Sequence, residues 1–526
     1  MYICEEYVII DYTANEAGGE NMFSKPIRRT AAALAALALS TGCAAQGGAS
    51  HGASSSAAAK DAVSFTIMAN LHTPVVPSPK LELLLEEKTG ARITFQWAPD
   101  GSYEEKFNAS FTTDTLPEAV FLKNAAMMNL VADPIRNGLF WEVGPYLERF
   151  PNLRKLNPDV LRNIAVDGKI YGLYQERPLS RQGIIYRKDW ADRLGLKAPT
   201  TVDELYTMLY RFTYDDPDGN GVDDTIGLTD RNDLVYGAFK TIASYLGTPN
   251  GWGEREGKLL PEFLFPEYKD TMDFFRKMHR EGVMNKDFPV TSKADQQEML
   301  TSGKAGVYVG AMGDVISLQK ETAEAVPEAE FDVHNRIQGP KGERVWATPG
   351  FGTVVMFPKS AVETEEELLQ VLGFFDRLMD AELANLLRWG VEGEHYAVQG
   401  GKAVPIDDFA KLDKEVKAYQ GIEIGGPNTI PGLLDPDFQS PVKAKAELLT
   451  RDNETMLVHN PAEALESVTY HERGERLQKY ITDATYKYIL GLIDEAGFDA
   501  EVNRWLAEGG HLMIEEMNAA YKAASK

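Results

Sequence analysis

The segments VSFTIMA (residues 63–69), KLELLLEEKTG (80–90), ARITFQWA (91–98) and LPEAVFL (116–122) decide the fold between them. The first and third alternate apolar and polar residues, as half-buried strands do. The second repeats leucine at helical spacing and stops on Gly90. The fourth is a short continuous apolar run of the kind found in buried strands, and a helix-like segment precedes it, so the chain opens β-α-β-α-β. This alternation predicts an α/β fold with a largely parallel sheet and helices on its faces. Ligands of such sheets gather at the carboxyl ends of the strands, which places residues 70–73, Lys123 and Asn124 beside a cleft. Plain solvent exposure accounts for the same polar loops equally well.

Upstream, residues 22–43 read MFSKPIRRTAAALAALALSTGC. A basic start (Lys25, Arg28, Arg29), an apolar stretch over 31–39 and small residues before Cys43 form the layout of a secretory signal peptide. Residues 1–21 carry Glu5, Glu6, Asp11, Glu16 and Glu20, the wrong charge for the start of an export signal, so translation is expected to begin at Met22. Ser40-Thr41-Gly42-Cys43 resembles a bacterial lipobox, although Ser40 stands where an aliphatic residue is usual and Leu39 lies one place further out. The other cysteine, Cys4, falls in the acidic extension, which leaves Cys43 as a single thiol expected to carry lipid. Residues 43–61 then form a tether of small residues, holding the protein at the extracellular face of the membrane.

The 526 residues are 44% hydrophobic and 25% charged, a globular composition long enough for two or three cores. A net charge of −25 opposes any electrostatic grip on nucleic acid or anionic headgroups. It also disfavours a polyanionic ligand unless local arginines override it. No run of about 18 apolar residues reads as a membrane-spanning helix.

Five further segments carry a resemblance: DGKIYGLY (167–174), YRKDWADRLGLKAPTTVDEL (186–205), DDPDGNGVDDTIGLT (215–229), GKAGVYVG (303–310) and WGVEGEHY (389–396). In this order the chain resembles the family 1 extracellular solute-binding lipoproteins of carbohydrate ABC transporters, from about Ala62 to the C-terminus. The resemblance implies a two-lobed, periplasmic-binding-protein-like type II fold with three interlobe crossings. It further implies an oligosaccharide in the cleft and delivery to ABC permease subunits, with the protein a monomer. The crossings are expected near residues 174–186, 333–342 and 425–431. Lobe one would combine residues 62–178 and 340–426, and lobe two 179–339 and 427–526. No internal repeat at solenoid spacing is visible.

Within the third segment, Asp216, Asp218, Asn220, Val222 and Asp224 follow the first half of an EF-hand loop. A hard cation must collect about six to eight oxygens from such a loop, here from three side chains, the Val222 carbonyl and Asp224 directly or through water. Gly227 stands where an EF-hand has its bidentate glutamate, so the loop is not a complete one. In the resembling family an acidic residue often closes the loop after the ninth position. Here that residue is Thr225, with Asp223 the nearest substitute. The same residue types also build metal-free turns. Four carboxylates in one turn nevertheless repel one another unless a cation intervenes. Calcium suits a flexible, carbonyl-containing loop better than magnesium, and the absence of a neighbouring His or nucleophile makes its expected role structural.

Sugars present flat CH faces rimmed by hydroxyls, so their sites combine aromatic plates with carboxylates, amides and arginines. Of seven tryptophans, Trp252, Trp346 and Trp389 fall in predicted loops, where ligand contact and core packing account for them evenly. Trp190 packs a helix start. Tyr396, Arg187, Lys123 and Glu176 join the candidates by their expected closeness to the cleft. Trp252 from lobe two is expected to face Trp346 or Trp389 from lobe one. The rival enzyme reading is a secreted glycosidase using Glu392 and Glu394. Signatures of hydrolase, zinc and nucleotide chemistry are absent, and the eight histidines form no ligand cluster, so no catalysis is expected. A peptide-binding or sensory lipoprotein is the nearest alternative, since fold does not fix ligand.

Overall fold

The computed structural model describes residues 63–524 apart from 74, 125, 407–409 and 439. The signal-like segment, Cys43 and the tether lie outside the described residues. The strands of the two main sheets are β1 (Ser64–Leu71), β2 (Arg92–Pro99), β3 (Ala119–Leu122), β4 (Gly172–Glu176), β5 (Gln182–Arg187), β6 (Ile226–Thr229), β7 (Ala305–Ala311), β8 (Phe331–His334) and β9 (Phe351–Met356). The first sheet runs β2-β1-β3-β9-β4, with β1, β2 and β3 parallel and β9 antiparallel to both its neighbours. The second runs β8-β5-β7-β6, with β5 antiparallel to β8 and β7.

The opening β-α-β-α-β reading holds. The helix Lys80–Thr89 ends on Gly90, whose φ of 74° is left-handed and whose N–H returns to the Glu86 carbonyl. The simple alternation expected of β1 does not hold, because Phe65, Ile67, Met68 and Ala69 are all buried. β1 pairs with β2 on one side and β3 on the other, and a central strand of a helix-covered sheet has no wet face. β2, at the edge, does alternate, burying Ile93 while Arg92 and Thr94 stay exposed.

Each sheet has its own core. Phe121, Leu173, Val355 and Phe375 belong to the first. Trp190, Phe212, Phe275 and Leu477 fill one side of the second sheet, while Leu300, Leu318, Phe331 and Ala446 fill the other. The chain passes from one sheet to the other three times. The first passage is residues 177–181, between β4 and β5. The other two lie further along than the spacing predicts. Trp346, expected in lobe one, still packs against the second lobe through Thr241 and Tyr236, so the second passage comes after it. Ile430 is still in the first core and Pro436 still pairs with Ala403, so the third passage comes just before the helix Pro441–Asp452, which buries Ala446 under the second sheet. Among the described residues no helix is long and apolar enough to cross a membrane.

Candidate ligand-binding cleft

The carboxyl ends of β1, β3 and β4 open onto a cleft of about 550 Å³. Asn70, Lys123, Gln175 and Arg177 line it from the first lobe. From the second come Glu447, Thr450 and Arg451, whose three- and four-residue spacing puts them on one face of the helix Pro441–Asp452, and Glu454 from the short turn that follows it. Arg388 closes the last turn of the helix Ala381–Trp389 and grips Glu423 with two hydrogen bonds, Nε to Oε1 at 3.1 Å and Nη2 to Oε2 at 2.8 Å. Gln175 is 3% exposed; its amide nitrogen donates to the Gln420 carbonyl at 2.7 Å, and its Oε1 has no partner among the described residues. The Arg177 side chain lies over Gly352, where an added Cβ would sit 2.7 Å from its Nε. Burial raises the Glu176 carboxyl above its ordinary range, partly offset by the Thr429 hydroxyl donating to it at 3.1 Å. Burial likewise holds the His72 imidazole below its usual value.

Of the residues read from the sequence, Lys123, Glu176 and Trp389 line this cleft. Lys123 donates to the Asp100 carbonyl at 2.8 Å, with the Asp100 and Glu104 carboxylates at 3.7 and 3.6 Å. Trp389 is largely buried, its indole N–H donating to the Leu434 carbonyl at 3.1 Å. The others are placed elsewhere. Trp252 is half-buried in a second hollow of about 340 Å³ with Phe351 and Tyr470. Trp346 is 4% exposed, and its indole N–H donates to the Thr241 hydroxyl at 3.0 Å, so it does not face Trp252 from lobe one. Tyr396 is 6% exposed and belongs to the first core beside Trp389. Arg187 is buried, paired with both Asp189 oxygens at 2.8 and 2.6 Å and laid over the Trp190 ring at 4.5 Å, which makes it part of the second lobe's framework.

Sequence reading missed Gln175, Arg177, Arg388 and Glu423. For the first two a signal was available, since they flank Glu176 at the end of β4. The polar 447, 450, 451 stripe was also readable as a helix face. Arg388 and Glu423 are 35 residues apart, and nothing local pairs them.

The acidic loop lies between the helix Val202–Tyr214 and β6. Asp216 (φ 46°), Gly219 (φ 72°) and Gly221 (φ 80°) turn the backbone sharply, a conformation that suits glycine and tolerates Asp. The Asn220 amide reaches Asp218 Oδ2 at 2.8 Å and Asp224 Oδ1 at 3.3 Å. Gly221 N–H donates to Asp216 Oδ2 at 3.1 Å, while Asp216 Oδ1 is buried without a partner among the described residues. Burial, with the carboxylates of Asp216 and Asp224 close by, pushes the Asp218 carboxyl up. Val222 presents a carbonyl that accepts the Asp224 N–H at 3.1 Å and keeps a second lone pair. Here the Asn220 amide nitrogen sits between the Asp218 and Asp224 carboxylates while its oxygen accepts the Val222 N–H at 2.7 Å, so the loop offers carboxylate oxygens, a carbonyl and an orphaned buried Asp216 oxygen, the donor types a hard divalent cation takes, with the Asn220 amide turned the other way. The missing twelfth-position glutamate has a steric cause: a Cβ on Gly227 would lie 2.3 Å from the Leu209 carbonyl, because β6 is pressed against the helix.

Glu394, one of the two carboxylates of the glycosidase reading, pairs with both Lys80 and Lys411, which pull it down to about 2. A general acid requires the opposite displacement. Glu394, His395 and Glu415 are close enough to share an ion, yet His395 Nδ1 accepts the Val391 N–H at 3.0 Å, leaving its Nε2 to face Glu415 at 3.3 Å.

The family model for bacterial extracellular solute-binding proteins matches residues 73–366. This chain belongs to that family. Among solute-binding relatives, the polygalacturonan/rhamnogalacturonan-binding protein YtcQ of Bacillus subtilis is 44% identical over 468 residues, 88% of this chain and 92% of its own length. The lipoprotein LipO of the same organism is 34% identical over 491 residues, 91% of this chain and 96% of its own. A solved structure of the Streptococcus pneumoniae ABC-transporter binding protein FusA, an EF-hand mutant in complex with fructo-nystose, superposes with a TM-score of 0.61 at 17% identity, covering 88% of this chain and 99% of that one. The family and this likeness establish the two-lobed solute-binding fold.

Proposed function

We propose that the protein captures an oligosaccharide between its lobes outside the cell and hands it unaltered to the permease subunits of an ABC importer. The observation that carries this reading is the 550 Å³ cleft, where amide, carboxylate and guanidinium groups converge from both lobes beside the Trp389 indole. These are the groups that hydroxyl rims and CH faces need. The ligand named for YtcQ supports a galacturonate-bearing oligosaccharide. Calcium at Asp216, Asp218, Asn220, Val222 and Asp224 supplies a structural clamp at the start of β6, in keeping with the EF-hand named for FusA. Lipid on Cys43 keeps the protein at the membrane surface, a reading that the lipoprotein relative LipO favours. Cys43→Ala should release it from membranes on cell fractionation, and unchanged retention would overturn the anchor.

Calorimetry with pectic, fructan and neutral plant oligosaccharides tests the function itself. Binding of one class without any turnover is the expected result. Hydrolysis of a bound sugar, or binding of peptides and no sugar, would defeat it.

A further inference from the structure

Two guanidinium groups, Arg177 and Arg388, line the first-lobe side of the cleft beside the carboxylates of Glu176 and Glu423. The charges of Arg181 and Arg388 both act on Arg177, and the Glu423 carboxylate acts on it in the opposite sense. That carboxylate is already committed, since both its oxygens are held by Arg388 and the Gln175 amide reaches it at 3.4 Å. Arg177 and Arg181 make no side-chain hydrogen bond or ion pair among the described residues, and both are exposed. Arg177 faces the cleft, and Gly352 leaves the room in which its side chain lies. Beside it the buried Gln175 Oε1 stands without a donor among the described residues. An unneutralised pair of forked cations next to an unused acceptor matches one chemical group well: a sugar carboxylate with a hydroxyl adjacent to it.

We propose that Arg177, backed by Arg181, forms a subsite for the carboxylate of a uronic acid residue, with Gln175 Oε1 accepting a hydrogen bond from a neighbouring sugar hydroxyl. The proposal rests on the oligosaccharide reading and narrows it. The cleft selects the free acid over the ester, because esterification removes the charge that two guanidinium groups lack and leaves only weak acceptors. It discriminates although the surface as a whole is acidic and carboxylates also line the cleft, since Arg177 has no carboxylate hydrogen-bonded to it among the described residues and acts on a ligand at contact distance, where remote charge is screened.

Calorimetry on the full calcium-loaded chain with trigalacturonate, its methyl ester and a neutral galactotriose tests this. The free acid is expected to bind about 10- to 100-fold more tightly than the ester, the range that loss of a charge-assisted hydrogen bond produces. In Arg177→Gln that ratio should collapse towards one, with Arg181→Gln giving a smaller loss of the same kind. Equal affinity of the wild-type protein for acid and ester, or a ratio untouched by Arg177→Gln in a variant that melts normally, would overturn the subsite while leaving sugar capture intact. Failure of every sugar to bind the wild-type protein would overturn both.

Discussion

Trp389 spends most of its ring on the fold and a margin of it on the cleft. Its indole N–H is committed to Leu434 and its face packs near Tyr396, so removing it opens a cavity as well as a binding surface. Trp389→Ala should therefore cost roughly 3–5 kcal/mol of stability by denaturation, in addition to weaker sugar binding by calorimetry. Loss of affinity at unchanged stability would show that the ring serves ligand alone. Asp230, fully buried after β6, gives a second residue-scale test. Its carboxyl is pushed up to about 7, chiefly by burial and against the Ala238 N–H bond at 2.9 Å. The folded state thus holds this proton more tightly than the unfolded chain, and the contribution to stability falls as pH rises from about 4 to about 7. Asp230→Asn should gain stability relative to wild type across that window, and parallel pH profiles would contradict the assignment. At this scale the sequence was a poor guide to the site. Arg187 looked like a cleft residue, but its pairing with Asp189 and stacking on Trp190 were encoded two and three positions away. Burial of Trp346 depended on Tyr236 and Thr241, packing partners remote in the chain, and that of Tyr396 on its seat in the first core.

Among the elements, the acidic loop was the most legible, because its oxygen donors are contiguous and their spacing is visible in one line of sequence. What could not be read was why Gly227 replaces a twelfth-position ligand, since that depends on the close approach of β6 to Leu209. With calcium bound to the folded state alone, stabilisation is about 2.7 kcal/mol at a hundredfold excess over Kd. Chelation should accordingly lower Tm, and Asp218→Ala should abolish the response to added calcium. A melting curve indifferent to both would remove the ion from the account. The opening strands and helix were legible for a similar reason of locality. The exception, the burial of consecutive residues from Ile67 to Leu71 in β1, follows from its central place in the sheet, which pairing across distant segments decides.

For the whole molecule, the motif order was enough to infer two lobes and three passages, but two of the passages fall later than the spacing suggested. Val345 and Trp346 pair with Leu457 and Val458, and Ala403 bridges to Pro436, contacts that no local pattern announces. The cleft owes its second wall to the helix Pro441–Asp452, delivered by the last of those passages. Closing such a cleft requires a ligand with differential affinity for the closed state, which means contact with both walls. The most direct measurement is a crystal structure of the protein with its captured oligosaccharide. Sugar density touching Gln175 and Arg177 on one lobe and the Glu447, Thr450, Arg451 face on the other is the result this account predicts. Density confined to one lobe, or seated in the hollow beside Trp252 with the cleft unfilled, would contradict it.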